Sequence, residues 1–587
     1  MKQYKYIAAM LSITMLLTAC SGNTTSYTTA LNQNDTNVIT TGTDKNTVTD
    51  TATDTSELFS DRDLNGNYDA SACEQITLSD AGSASDSDGV TIDNNTITIT
   101  KEGEYLLEGS LNNGMIIVDV DKSEKVQLIL NGVNINSDTS APIYVRQADK
   151  VFVTLANGTT NTLTNGGDFT AIDENNIDAV IFSKDDLTLN GTGSLNINSP
   201  AGHAIVSKND LVITNGTYNI TAASHALSGK DSVAIADGSF TIVAGKDAIH
   251  SEDDEDDTVG KVFIAGGNIS CSVESDGISA INEINIMGGN LVIEKSYEGL
   301  EARCINISGG EIYLTSSDDG LNATDKRSTA TNQTTQNQTA EITAGKNEKT
   351  EPASDNVHDQ TDWRINRGAR GGGMEDTQSD ASINISGGIV KINAEGDGID
   401  SNGYLTVSGG EVYVAGPSNS GNGTLDYGIE ATISGGIVVA AGQSGMAQNF
   451  GTSSTQGCLL VNTQQQNEEG SSITLLDSDG NELVAWNSEK SYNSIVISCP
   501  EIVDGGKYTL KTGEITTEIT MDGLIYGSSF NFGGDMHGGG MKPDGQRPDR
   551  TKPEDMLEIP DDEKPEGMKE PLEKQDVEQT EEMPKAS

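Results

Sequence analysis

A five-residue pattern in the middle of the chain carries most of the residues with metal-binding chemistry. It consists of an acid, a small residue, Ile or Leu, a polar residue and a second small residue, and its last copy has one extra residue after the acid. The copies begin at Asp247, Asp276, Glu298, Asp319, Asp397 and Asp426. Because carboxylate oxygens are the ligands that calcium takes in proteins, the pattern indicates a calcium-binding repeat.

The two polar positions form two columns if successive copies stack on one another. Equivalent residues of neighbouring strands lie about 4.8 Å apart. The first column then holds Asp247, Asp276, Glu298, Asp319 and Asp397. The second column holds His250, Ser279, Glu301, Asn322, Asp400 and Glu430. At that spacing and an effective dielectric constant of about 20, neighbouring carboxylates repel by roughly 3.5 kcal/mol, so the columns need counter-ions or must open into water.

Calcium fits between two coils because it takes about 6 to 8 oxygen ligands at about 2.3–2.6 Å. We expect one group of ions between the coils that carry Asp276, Glu298, Glu301, Asp319 and Asn322. We expect a second group near Asp397, Asp400 and Glu430. The alternative is a ladder of solvated turn residues, since Asp-Gly is a common turn pair. The repeated second acid favours the metal.

Upstream, the first column continues as His203 and His225. Stacked histidines either bind a transition metal or hydrogen-bond to the backbone and to each other's neighbours. We expect the second arrangement.

Short strands broken by Asn-Gly or Gly-Gly corners are the elements that must position these columns. The second glycines of the corners are Gly216, Gly238, Gly267, Gly289, Gly310, Gly388, Gly410 and Gly436. Most intervals between them are 21 to 29 residues, and self-similarity at this period is typical of a solenoid. No unit has a helical half, so the sequence predicts an all-β fold, a parallel β-helix with two or three strands per coil.

Composition divides the rest of the chain. Residues 1–20 have a basic start, an apolar run and the tetrapeptide Leu-Thr-Ala-Cys ending at Cys20. This resembles a bacterial lipobox, which implies a signal peptide and a lipid on Cys20 that anchors a secreted protein to the membrane at the cell surface. Residues 21–65 read as a flexible Ser/Thr-rich tether, 75–450 as the β-helix with an N-terminal cap, and 325–380 as a disordered insert in it. Residues 465–527 read as a small C-terminal β-cap and 531–587 as an acidic disordered tail.

The charge of the chain limits its partners. Eighty-nine acids against 35 bases give a net charge of -54. A phosphate backbone would be repelled, so nucleic acid is excluded as a partner, and cations are the natural counter-charge.

Several segments resemble a known family, among them "AVIFSKDDLTLNGTGSLNI" from Ala179 and "AIVSKNDLVITNGTYNIT" from Ala204, followed by the Asp-Gly-Ile coils. They look like the bacterial carbohydrate-binding β-helix family over about residues 75 to 450. The resemblance implies a right-handed parallel β-helix, related to pectate-lyase-like polysaccharide lyases, that binds calcium, acidic plant polysaccharides such as polygalacturonate, and cellulose. The family's calcium positions match Asp247, Asp276, Glu298, Asp319 and Asp397. The chain departs from the family at His203 and His225 and by its long insert.

Three functions are compatible with these features. The first is a non-catalytic module in which calcium bridges the columns to uronate carboxylates, with sugars stacking on Tyr297, Tyr313, Tyr404 and Tyr413. The second is a calcium-dependent polysaccharide lyase, which needs a basic residue near the columns; the candidates are Lys246, Lys295 and Arg303. The third is a structural adhesin that contacts proteins. We favour the binding module, because the sequence does not indicate which of these bases would lie beside a calcium ion.

Overall fold

Alternation of aliphatic and small polar residues gives the repeat its strands. In Asn268–Val273, for example, every second side chain is buried, as expected for a strand with one face on a core. The structure is a computed structural model that describes residues 58–253, 255–327 and 380–527. There, parallel strands wind into a solenoid of about 11 coils with almost no helix. The predicted all-β parallel β-helix is confirmed.

Each central coil has three strands, which contribute to three faces. Face 1 is a 13-stranded sheet that is parallel apart from its first hairpin. Its strands are Val90–Asp93, Thr96–Ile99, Met115–Asp119, Ile143–Gln147, Ala179–Ser183, His203–Ser207, Leu227–Gly229, Ile249–Ser251, Ile278–Ala280, Leu300–Ala302, Leu321–Ala323, Ile399–Ser401 and Leu425–Tyr427. In the short central strands the first residue belongs to the interior core, so the middle residue faces away from it.

Faces 2 and 3 complete each coil. Face 2 contains Glu74–Leu78, Gly103–Leu111, Lys125–Leu130, Lys150–Leu155, Asp186–Gly191, Asp210–Ile213, Ser232–Ile235, Lys261–Ile264, Glu283–Ile286, Cys304–Ile307, Ser382–Ile385, Tyr404–Val407 and Glu430–Ile433. Face 3 contains Asn134–Ser137, Thr160–Asn165, Ser194–Ser199, Thr217–Ala222, Ser239–Ala244, Asn268–Val273, Asn290–Ser296, Glu311–Ser316, Ile389–Ala394, Glu411–Ala415 and Ile437–Gly442. The two faces join into one sheet because Gly103–Leu111 pairs with strands of both.

Glycines form the corner between faces 2 and 3. Gly289 and Gly310 have φ values of 87° and 86°, in the left-handed region that side chains disfavour. The corners also stack closely: a Cβ on Gly310 would lie 2.9 Å from the carbonyl oxygen of Gly289 in the preceding coil. Both the backbone conformation and the spacing of the coils therefore require glycine.

The first described residues pack on face 2. Residues 58–65, the end of the expected tether, contain the short helix Asp61–Leu64, capped by Ser60. Its Asp63 is buried against face 2, where its carboxylate contacts Lys150 Nζ at 2.7 Å. Residues 58–65 are therefore packed on the solenoid and do not belong to a tether. The ion pair with Lys150 compensates for the burial of the Asp63 carboxylate.

At the C-terminal end of the solenoid, the last strand of face 3 pairs with an antiparallel strand, Tyr492–Ser498, which also pairs with Cys458–Asn467. The short strand Ile525–Tyr526 pairs with Cys458–Asn467 as well. A separate antiparallel sheet follows the order Glu482–Asn487, Ser472–Leu476, Lys507–Thr512 and Ile515–Thr520. Trp486 of this terminal sheet belongs to a second hydrophobic core, which also includes Tyr413 and Val439 of the last face 3 strands. An open strand edge is thereby paired instead of exposed.

Several predictions from the sequence fall outside the described residues. They are the signal peptide with Cys20, most of the tether, the insert apart from residues 325–327 and 380, and the tail 531–587. Within the described ranges, no helix has the length and apolarity that a membrane span needs.

Substitution of corner glycines tests the stacking of the coils. We expect Gly310→Ala to lower the melting temperature more than Gly480→Ala, measured by calorimetry. Both glycines have left-handed φ values, 86° and 85°, which cost Ala about 1–2 kcal/mol. Only at Gly310 would the added Cβ meet a neighbouring backbone, since nothing lies within 4 Å of it at Gly480. Equal shifts for the two variants would contradict close contact between the corners.

Candidate metal centres beside face 1

The first column lies at the turn into face 1. Most of its side chains reach the backbone of the next coil: Asp247 Oδ1 accepts the backbone N–H of Asp276 at 3.0 Å, and Asp276 Oδ1 accepts that of Glu298 at 3.2 Å. Asp319 Oδ1 likewise accepts the N–H of Asp397 at 2.7 Å. The column is therefore a ladder in which carboxylates bind the backbone of the following coil.

The second column occupies the middle position of the face 1 strands. Strand register pairs His250 with Ser279, Ser279 with Glu301, Glu301 with Asn322, and Asn322 with Asp400. The structure therefore places these five residues in one column, as predicted from the sequence.

Glu430 is not part of the second column, and its assignment to the metal site was wrong. Asp400 pairs with Asp426, whereas Glu430 pairs with Tyr404 on face 2. The sequence alignment failed because Tyr427-Gly428-Ile429 imitates the repeat, while Leu425 takes the interior position of this coil. Asp426 is the residue that continues the column.

Asp276, Glu298 and Glu301 form a buried cluster of three carboxylates, which we call the central acid cluster. One oxygen from each lies within 4.8 Å of the others. Burial, followed by repulsion from Asp247 and Glu301, raises the pKa of Asp276 well above its ordinary value. Burial and repulsion from Glu301 and Asp276 do the same to the pKa of Glu298. The cluster consequently has a strong requirement for positive charge.

Lys326 supplies part of that charge. Its ammonium lies 2.6 Å from Glu301 Oε2 and donates to Ser279 Oγ at 3.0 Å. Burial opposes its charge, but attraction to Glu301 and Asp276 outweighs burial and raises the pKa of Lys326. Three ionised carboxylates and one ammonium leave two negative charges, which one divalent cation would neutralise.

Asp319, Asp397 and Asp400 form a second acid cluster, less buried than the first. Their ligand oxygens also lie within 4.8 Å of one another. Asn322 stands between the clusters: its Nδ2 donates to Glu298 Oε2 at 3.0 Å, while its buried Oδ1 has no hydrogen-bond partner. An amide oxygen in that position is a suitable ligand for a hard cation.

Toward the N-terminus the column changes chemistry. His225, Asp247 and His250 bring two imidazoles and one carboxylate within 4.8 Å, and we call them the histidine cluster. Burial opposes ionisation of Asp247, but its contacts with the imidazoles of His225 and His250 lower its pKa well below the ordinary value. The rings of His203, His225 and His250 also form a continuous stack. A hydrogen bond to the backbone of the kind expected from the sequence is present, because the N–H of Asp247 donates to Nδ1 of His225 at 3.2 Å.

The three histidines differ in protonation. Burial and the neighbouring His225 lower the pKa of His203 to about 2. Burial and the neighbouring His250 lower the pKa of His225 to about 4. Burial would also lower the pKa of His250, but Asp247 and Glu252 raise it to about 9. In the metal-free protein near neutral pH, His250 is therefore the charged member of the stack.

Two of the basic residues proposed from the sequence contact residues that are not members of the acid clusters. Lys295 forms an exposed ion pair with Glu274 at 2.6 Å, and Arg303 Nε donates to Asn282 Oδ1 at 3.3 Å. Lys246 is exposed beside the histidine cluster. Lys326, which the sequence analysis did not single out, is the basic residue in direct contact with Glu301.

The tyrosines do not form one platform. Tyr413 is buried, donates to Glu411 at 3.0 Å and packs against Trp486, so its assignment to sugar binding was wrong. Tyr404 is exposed on face 2, and Tyr313 lies on face 3 below Lys391, 4.9 Å from ring centroid to Nζ. Tyr297 is half-buried, immediately before Glu298. It is the tyrosine nearest in sequence to the central acid cluster.

The contacts that sequence analysis missed involve residues outside the repeat pattern. Lys326 follows the second column residue Asn322 by four positions, and Glu252 follows His250 by two. A basic residue shortly after an acidic column was the available signal for Lys326. Glu252 is the first residue of an acidic run, and its Oε2 lies 3.3 Å from His250 Nε2.

The parallel β-solenoid, with stacked acid clusters beside one face, places the chain among the β-helix proteins. The chain belongs to the family of carbohydrate-binding domain-containing proteins, whose model matches residues 93–348 and 297–423. A member from Acetivibrio thermocellus is 39% identical over 145 residues, which are 24% of this chain and 51% of that protein. The chain thus spans about half the length of this relative.

A solved structure is also similar to the chain. It is the gadolinium derivative of a polysaccharide lyase-like protein from C. thermocellum, with 32% sequence identity. The match covers 41% of this chain and 94% of that one, with a TM-score of 0.36.

The raised pKa values predict how stability depends on pH without metal. Between the ordinary carboxyl pKa of about 4 and their raised values, Asp276 and Glu298 hold protons in the folded state that the unfolded state has lost. Above about pH 6.5, where His203 and His225 are neutral in both the folded and the unfolded state, stability in chelator therefore falls as pH rises through these raised values. His250, with a pKa near 9, adds a loss in the same direction above about 6.5.

Glu298→Gln separates these contributions. The variant should melt higher than the unsubstituted protein in chelator at pH 8, because one buried like charge is removed, and its melting temperature should depend less on pH. Thermal melting across this pH range in chelator is the measurement. Parallel pH profiles for the two proteins would show that the acid cluster does not resist ionisation.

Proposed function

We propose that the protein binds an acidic, uronate-containing polysaccharide through calcium ions held by the two acid clusters. Membership of a carbohydrate-binding family supports a polysaccharide partner. The observation that carries the finer proposal is the central acid cluster, where three carboxylates are buried within 4.8 Å of one another. A buried cluster of this charge needs a cation.

The donor set suits calcium. Two ligand atoms of one calcium ion lie at most about 5 Å apart, twice the metal–oxygen distance. The oxygens in each acid cluster satisfy that limit. Asn322 Oδ1, buried and without a hydrogen bond, and the hydroxyl of Ser279 are further oxygen donors beside the central cluster. Calcium would supply positive charge here, while Lys326 holds Glu301 and Ser279 in place.

Calcium also explains how a strongly acidic protein would bind an acidic polymer. The net charge of -54 repels polyuronates at long range. Ions bound along the columns reverse the sign of charge locally and keep coordination positions for ligands other than the protein. Because the clusters follow one another along the solenoid, successive ions would meet successive sugar carboxylates of one chain.

The lipobox extends this proposal to location. We infer that Cys20 carries a lipid that anchors the secreted protein at the bacterial surface, where polysaccharides are accessible. Incorporation of a labelled fatty acid into the intact chain, lost in Cys20→Ala, tests this. Absence of label from the unsubstituted chain would contradict the anchor.

A polysaccharide lyase is the second candidate, favoured by one observation: a lysine lies within the acid clusters. β-Elimination needs a base to remove the proton at C5 of a uronate. Lys326 is held as an ammonium by Glu301 and Asp276, which makes it a poor base. We therefore rank binding first. Accumulation of unsaturated product from polygalacturonate, lost in Lys326→Gln, would reverse the ranking.

Binding to polygalacturonate tests the proposed function directly. In a pull-down or calorimetric titration, the intact chain should bind the polymer in calcium and lose binding in chelator. Glu301→Gln should weaken binding about tenfold or more, since it removes one carboxylate from the central cluster and the partner of Lys326. Glu430→Gln is the matched control, because it removes an equal charge from face 2 and should bind like the unsubstituted chain.

Three results would contradict the proposal. They are binding that persists in chelator, equal binding by Glu301→Gln and the unsubstituted chain, and calcium-independent adhesion to proteins alone. The last result would support a structural adhesin.

A further inference from the structure

The histidine cluster differs from the acid clusters in the ligand atoms that it offers. Nδ1 of His225 and Nδ1 of His250 approach the same oxygen, Asp247 Oδ2, at 3.0 and 2.9 Å. His225 and Asp247 are buried, and the side chain of His250 is 18% exposed. Two nitrogens and one oxygen therefore converge on a small volume at the turn into face 1.

The protons around His225 indicate that its Nδ1 presents a lone pair. The backbone N–H of Asp247 points at this nitrogen at 3.2 Å, and an N–H is accepted only by an unprotonated nitrogen. The same nitrogen lies 3.0 Å from the Asp247 carboxylate, which is also electron-rich. A cation bound between these two electron-rich atoms would make their contact favourable.

Glu252 contributes a second observation. Its Oε2 lies 3.3 Å from Nε2 of His250, on the opposite side of the ring from Asp247. A histidine that binds a metal through one nitrogen almost always gives its other N–H to a carboxylate, a backbone carbonyl or water, which fixes the ring and its tautomer. Glu252 holds His250 in the orientation that directs Nδ1 to the cluster.

We propose that His225, Asp247 and His250 bind a first-row transition metal of the Zn²⁺ class, at a site separate from the calcium sites. Imidazole nitrogens are ligands for zinc-like ions, whereas calcium takes oxygen. Zinc–ligand bonds of about 2.0–2.1 Å in tetrahedral geometry separate ligand atoms by about 3.3 Å. The observed separations of 2.9 and 3.0 Å need to open by only a few tenths of an ångström.

The site would link two coils and divide the column by metal type. His225 comes from one coil, and Asp247 and His250 come from the next. Three protein ligands leave one tetrahedral position for water or a substrate oxygen, on the partly exposed side of His250. Downstream, where Ser279 and Glu301 replace histidine in the second column, the ligands are oxygens.

Metal titration of the intact chain tests the site. The chain, without a histidine tag and kept in excess calcium, should bind one Co²⁺ or Zn²⁺ with a dissociation constant of about 1 μM or below. Co²⁺ should give the visible ligand-field bands of a four-coordinate site. His225→Ala and His250→Ala should each weaken binding at least about tenfold, and Glu252→Gln roughly 10- to 100-fold.

His203→Ala is the matched control. Its ring stacks on His225 at a centroid distance of 5.0 Å, but it contributes no atom to the cluster, so Co²⁺ binding should persist. Glu301→Gln should also keep Co²⁺ binding while losing calcium, which distinguishes failure of this site from failure of the proposed carbohydrate-binding function.

Several results would overturn the proposal. One is Co²⁺ or Zn²⁺ binding that calcium displaces, and another is equal binding by the unsubstituted chain and His250→Ala. If that variant does not fold, the unsubstituted chain still decides: absence of ligand-field bands at saturating Co²⁺ would leave His250 as an imidazolium held between Asp247 and Glu252.

Discussion

The spacing between coils is the constraint on which the site depends. Parallel strands place equivalent residues about 4.8 Å apart, so any acid retained in the repeat stands directly beside its copy in the next coil. Asp276, Glu298 and Glu301 are buried as well as stacked, which removes the water that would otherwise screen their charges. The raised pKa values of Asp276 and Glu298 result from this burial and repulsion, and the charge of Lys326 compensates for only part of the repulsion.

The remaining features of the solenoid maintain this spacing. Left-handed glycines such as Gly310 allow the corners to approach within contact distance. The first column adds hydrogen bonds across coils, as in the contact between Asp319 Oδ1 and the Asp397 N–H. The same side chains thus hold the coils together and present charge, which explains why a metal in the columns would affect both stability and binding.

The sequence predicted the features that repeat and missed those that do not. The glycine period and the acid–aliphatic–polar pattern were sufficient to predict the solenoid and the columns from Asp247 to Asp400. Stacked coils place residues that are one period apart in sequence next to each other in space. Glu430 was misassigned because a local imitation of the motif shifted the alignment of one coil. Lys326 and Glu252 lie outside the period, so the repeat does not predict their contacts with Glu301 and His250.

Anomalous diffraction from crystals grown in calcium tests the central claim most directly. The account predicts calcium peaks within the cluster of Asp276, Glu298 and Glu301, and within that of Asp319, Asp397 and Asp400. The account would be contradicted by crystals grown at saturating calcium that show no anomalous peak at either cluster. Lys326 alone would then neutralise the central carboxylates.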